Sequence, residues 1–167
     1  RLAQRPGRQA QPVAPAAGRI HHHQREVMGQ RRVLEPVVEQ DHLRRVLLRE
    51  HDIPHGNNIG LIELNVRYAL EAGYVTALEG ILYSPHYTEM LSRLHLDYGG
   101  HWYSFDLPFE ETVKRHATRP QAQLFTPEQM RGWYQQDDRL PFVQERLITP
   151  ESRLEDTVNR IFHEACL

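Results

Sequence analysis

The feature that most constrains this chain is a break in its chemistry just past residue 32. Residues 1–32 carry seven arginines against a single acid, Glu26, and no Phe, Trp or Tyr. The rest of that stretch is largely Gln, Pro, Ala and Gly without apolar periodicity, a composition that cannot bury enough apolar surface to offset the entropy of ordering it. The remainder of the chain carries 13 basic and 21 acidic residues and every aromatic side chain. Any core must therefore be built from about Val37 onward. The sequence divides into an irregular basic segment, 1–35, and a folding segment, 36–167, long enough for one domain with a sizeable core.

Three readings of residues 1–32 stand side by side. The segment is a disordered basic tail that touches nucleic acid, a plain disordered tail, or an altered, for instance out-of-frame, translation of what was a βα unit. The last accounts for a start at Arg1 rather than Met and for a length suited to a strand, a phosphate loop and a helix. Translation of the coding DNA and its upstream flank in all frames tests it: a Gly-rich loop ending in Lys-Ser/Thr must then appear. The run His21-His22-His23 lies here too. A structural metal site needs about four spaced ligands on a folded frame, so no metal is assigned to it.

Composition excludes several function classes. A net charge of -2 offers no electrostatic case for nucleic acid or an anionic membrane as the main partner. No apolar run approaches the roughly 18 residues of a membrane span, and the start lacks the basic-then-apolar layout of a secretory signal. The single cysteine, Cys166, excludes an internal disulfide and fits a reducing compartment. The expectation is a cytoplasmic globular domain.

From Val37 the pattern alternates short apolar runs with helical periods. Val37-Val38 reads as a strand that Pro36 introduces, and Leu43, Val46 and Leu47 as a helix stopped at Asp52-Ile53-Pro54. Asn57 or Asn58 caps a helix to about Ala72 whose apolar face uses Leu61, Leu64, Tyr68 and Ala69. Tyr74–Leu78 reads as a strand covered on both faces. Ser84-Pro85 opens a helix that turns Met90, Leu91 and Leu94 inward. After Gly99-Gly100 come a strand over His101–Phe105, a helix from Phe109 to Thr118, a helix capped by Thr126, a strand over Glu145–Ile148 and a last helix over Glu151–Ala165. Strands alternating with helices predict an α/β fold with a parallel sheet.

In such sheets functional residues gather at the C-terminal ends of strands. Those ends carry Asp41, Glu79 and Asp106 here. A carboxylate at that place can orient a hydroxyl, accept its proton, or bind Mg²⁺ directly or through water. The bland alternative is that each caps the helix that follows.

The stretches Val-Glu-Gln-Asp-His-Leu-Arg-Arg (38–45), Leu-Glu-Gly-Ile-Leu-Tyr (78–83), Phe-Asp-Leu-Pro-Phe-Glu-Glu-Thr (105–112) and Lys-Arg-His-Ala-Thr-Arg-Pro (114–120) together resemble the bacterial small P-loop kinases. These are the zeta-toxin-like and chloramphenicol-phosphotransferase-like proteins of the AAA-family ATPase type, and the likeness spans residues 37–167. It implies a P-loop NTPase-like parallel sheet flanked by helices, ATP and Mg²⁺ as cofactors, and a small-molecule hydroxyl as acceptor. It implies Asp41 as the base for that hydroxyl, Arg44 or Arg45 near the acceptor or the transferred group, and Glu79 with Gly80 at the acceptor. Asp106 would assist Mg²⁺ indirectly, and Arg115 and Arg119 would neutralise charge on the γ-phosphate, a role suited to a planar guanidinium. A zeta-toxin-like action on nucleotide sugars and a non-catalytic metabolite- or protein-binding domain are the alternatives.

Each residue also has a plain reading. Arg44 and Arg45 would pair with Glu50 or Asp52 on a solvated face, and Arg115 and Arg119 are four apart, as surface charges on a helix often are. His116 is not assigned as a base, and Trp102, Trp133 and Tyr134 read as packing residues. The departure from the family is sharp. The only lysine is Lys114, and no Gly-Lys-Ser/Thr occurs anywhere. The missing loop would remove the backbone donors, the lysine and the Mg²⁺-binding hydroxyl together, along with the first strand of the sheet. The chain as written is therefore expected to bind ATP poorly.

Overall fold

The computed structural model describes residues 36–118 and 120–165, within the second of the two units, Arg1–Leu34 and Glu35–Leu167, into which the chain divides. The expectations for residues 1–35, Arg119 and Cys166 lie outside the described residues.

Strand β1 (Val37–Glu39) leads into a π-helical stretch, His42–Leu48. Helix α1 (Asn57–Glu71), strand β2 (Ala77–Glu79) and helix α2 (Ser84–Tyr98) follow. Strand β3 (Tyr103–Phe105), helix α3 (Phe109–Ala117), a 3₁₀ turn (Pro120–Gln123) and helix α4 (Pro127–Trp133) come next. Strand β4 (Arg146–Ile148) and helix α5 (Leu154–Glu164) complete the described chain.

This is a mixed α/β architecture, and its strands pair in parallel. They form two separate pairs, however, where one sheet was expected. β1 lies beside β2 with Val37 opposite Ala77 and Glu39 opposite Glu79, and β3 beside β4 with Tyr103 opposite Arg146 and Phe105 opposite Ile148. Joining the pairs takes a strand that bonds on both edges, and the described residues contain none.

The main core lies under β1. Val38, Ile62 and Val66 meet Tyr87, Met90, Leu91 and Leu94 of α2. The inward row of α2 thus follows its periodicity, one turn longer at its N-terminal end than the three apolar residues suggested. α1 corrects the reading of its apolar face. Asn58, Ile62, Val66 and Ala69 are buried, whereas Leu64 and Tyr68 are 64% and 74% exposed. The inward row is the one that packs on α2, and on it the Asn58 amide bonds the Tyr87 hydroxyl. Strand β2 is shorter than Tyr74–Leu78, and Tyr74, Val75 and Ala77 are exposed rather than covered on both faces.

In the second half Ile148, Phe109 and Met130 are buried. Thr126 caps α4 as its sequence predicts: its hydroxyl accepts from the Gln129 N–H, and the Gln129 side chain accepts from the Thr126 N–H. Contacts between side chains tie the halves together. The Asp138 carboxylate accepts from the Ser84 N–H at 2.9 Å and the Ser84 hydroxyl at 2.5 Å, and His95 of α2 packs on the Trp102 and Phe142 rings. No described helix is long and apolar enough to cross a membrane.

Candidate functional site

Asp41 stands two residues after the end of β1 and opens the π-helical stretch, but its side chain makes no cap hydrogen bond. Instead Oδ1 accepts from Arg44 Nη2 at 2.6 Å and from Arg45 Nε at 3.1 Å. The carboxylate partner of both arginines is therefore Asp41, not Glu50 or Asp52. Glu50 is engaged elsewhere, since its Oε1 accepts the Asn58 N–H at 2.5 Å and so caps α1 from outside the helix. The N-cap position of α1 is Gly56, so neither Asn57 nor Asn58 fills that role. Arg49, at φ 56° and ψ 42°, closes the π-helical stretch, and its N–H bonds the Arg44 carbonyl five residues back. Such wide turns are often found at functional sites.

Glu79 ends β2 and is exposed; Gly80 follows at φ 149°. A Cβ on Gly80 would stand 2.5 Å from Cβ of Gln40, so the close approach that the glycine allows is to the chain's own Gln40 side chain. Asp106 follows β3, and its N–H donates to the Ile148 carbonyl at 2.9 Å. Its carboxylate pairs with Arg139 Nη2 at 3.3 Å, while Arg139 Nη1 donates to Ser104 Oγ at 3.2 Å. The residues at the N-cap positions of α2 and α3 are Tyr83 and Pro108. Neither Glu79 nor Asp106 thus stands at the N-cap position of the helix that follows it, and the Asp41 side chain makes no cap hydrogen bond.

Arg115 of α3 pairs with Glu111 at 2.9 Å and donates to the Pro150 carbonyl at 3.1 Å, which brings it just past the end of β4. Lys114 is exposed and reaches Glu111 only at 3.9 Å. The fold therefore gathers Asp41, Arg44, Arg45, Glu79 and Gly80 at the C-terminal end of one strand pair. Asp106 and Arg115 lie at the C-terminal end of the other.

Beneath the first group lies a buried polar cluster that reading the sequence missed. Gln40, Asn58 and Tyr87 have no measurable solvent exposure. The Tyr87 hydroxyl accepts from Gln40 Nε2 at 2.9 Å and Asn58 Nδ2 at 2.6 Å, and donates to Asp52 Oδ1 at 2.8 Å. Asp52 is acceptor-only when ionised, so the phenolic proton goes to it and both amides must donate. Burial, the largest cause, together with Asp52 pushes the Tyr87 hydroxyl up to about 12. The signal available in the sequence was weak but present: Tyr87 stands on the row of Met90, Leu91 and Leu94. A groove of about 290 Å³ opens beside this cluster between α1 and α2, with His55, Gly56, His86 and Arg93 among its lining.

No known protein family, curated protein or solved structure matches this chain.

Proposed function

We propose that residues 36–167 are the body of a P-loop-type phosphotransferase that moves a phosphoryl group from ATP to a hydroxyl of a small molecule, and that the chain as its sequence stands does not hold ATP. The observation that carries the reading is the shared position of Asp41, Glu79 and Asp106. All three lie at C-terminal ends of parallel strands, where α/β folds gather reacting groups.

The residues present do not fit ATP or Mg²⁺. No Gly-Lys-Ser/Thr exists to cradle phosphates, Asp106 is committed to Arg139, and among the described residues no three His, Cys, Asp or Glu side chains stand close enough to hold a metal. What this chain's own residues supply is the acceptor side. Arg44 and Arg45 converge on one oxygen of Asp41, Oδ1, and the incoming hydroxyl is assigned to the other, Oδ2.

Calorimetric titration of the chain with ATP and Mg²⁺ is expected to show no micromolar binding, and micromolar affinity would overturn the proposal. With a strand and phosphate loop grafted ahead of Pro36, ATP-dependent transfer to a panel of hydroxyl compounds is expected. Asp41→Asn should then cut transfer by about 10²–10⁴-fold, the scale of a positioned general base. The pairing of Asp41 with two arginines favours a second reading, a non-catalytic binding domain. Under that reading the grafted protein binds a compound, transfers nothing, and is indifferent to Asp41→Asn.

A further inference from the structure

Two distant parts of the chain meet at Arg45. Its Nε donates to Asp41 Oδ1 at 3.1 Å, and its guanidinium carbon lies 4.7 Å from the centroid of the Phe125 ring. A guanidinium suits this double role, since its edge bonds a carboxylate while its face covers a ring. Phe125 is fixed from two further sides: His116 Nε2 lies 3.1 Å from its carbonyl oxygen, and its ring meets Trp133 edge-on at 5.3 Å. Phe125 directly precedes Thr126, the cap of α4. Arg44, by contrast, bonds Asp41 at 2.6 Å and is far less exposed than Arg45.

We infer that Arg45 and Phe125 form a latch. With Phe125 seated on Arg45, the segment Phe125–Trp133 is held beside the end of β1, and Arg45 is held on Asp41. With Phe125 withdrawn, Arg45 loses its ring face and is free to leave, and Asp41 keeps Arg44 alone. The state of the Asp41 carboxylate is thereby coupled to the docking of a segment more than 80 residues away in the chain. The consequence for a hydroxyl approaching Asp41 rests on the function proposed above; the latch itself does not.

Hydrogen–deuterium exchange of the full chain, followed by mass spectrometry, tests it. In Arg45→Ala and in Phe125→Leu, amides of the α4 segment are expected to exchange about two- to fivefold faster, the scale of a partly exposed cation–ring contact. Amides of α2 are expected to keep their rates, and the double variant to exchange no faster than either single one. Unchanged exchange in Arg45→Ala, or single effects that multiply in the double variant, would overturn the latch. Where Arg45→Ala loosens α2 as well, Arg45→Gln, which keeps much of the stem but removes the charge, decides: faster exchange confined to the α4 segment supports the latch, and wild-type exchange refutes it. These rates need no catalysis, so a failed transfer assay leaves them standing.

Discussion

Replacing Tyr87 with phenylalanine removes a single oxygen from the centre of the buried polar cluster. That oxygen accepts from Gln40 at 2.9 Å and Asn58 at 2.6 Å and donates to Asp52 at 2.8 Å. The ring keeps its place among Ile62, Met90 and Leu91, so packing hardly changes. Two fully buried amide donors are left without an acceptor, at about 1–3 kcal/mol each. Asp52 is partly exposed and recovers much of its loss from water. The expected cost is about 2–6 kcal/mol, against a total stability of about 5–15 kcal/mol for an ordinary domain. Urea denaturation followed by circular dichroism at pH 7 reads this directly, and adding Gln40→Met should return part of the loss by removing an orphaned donor. The same hydroxyl sets an alkaline limit. Folding raises its affinity for the proton, so the contribution is fully present below the ordinary tyrosine value of about 10 and is lost as pH rises toward about 12. Tyr87→Phe should lack that part of the alkaline decline. A loss below about 1 kcal/mol at pH 7, with an unchanged denaturant slope, would refute the reasoning.

Gly80→Ala would place a Cβ 2.5 Å from that of Gln40 on backbone at φ 149°, and is expected to cost about 1–3 kcal/mol, read as a lowered urea midpoint. Glu63 accepts from Arg93 and Arg67, and the Arg93 hydrogen bond, first among the causes, holds its carboxyl below the usual range. Its contribution is present above the ordinary glutamate value of about 4.3 and lost as pH falls through the lowered one, so Glu63→Gln should flatten the acid limb of stability against pH. An unchanged acid limb would count against the pairing. Thr126→Ala removes the capping box of α4 and is expected to cost about 1 kcal/mol, checked by denaturation, with no effect on α2 exchange.

Several features of this fold are local and were legible for that reason. Thr126 and Gln129 are three residues apart, and their capping box needs no help from the rest of the chain. Met90, Leu91 and Leu94 share one side of α2, and any partner would turn that side inward. The carboxylates at Asp41, Glu79 and Asp106 lie beside short apolar runs that read as strands, so their place at strand ends followed from alternation alone.

Other features depended on partners that no local pattern names. The buried row of α1 is the one that meets α2, where Asn58 bonds Tyr87, 29 residues further on. Arg44 and Arg45 have three carboxylates within reach along the chain; Asp41 holds them because Glu50 is drawn to the first turn of α1 and Asp52 to Tyr87. Asp106 is paired by Arg139, and Ser84 by Asp138 across 54 residues. The sequence by itself determined where the strands end and which chemical groups stand there, because alternation and capping act over a few residues. The tertiary structure decided the rest: which helix face is buried, which charges neutralise one another, and that the strands form two pairs. Hydrogen bonds and burial reward contacts between residues that only the folded chain brings together.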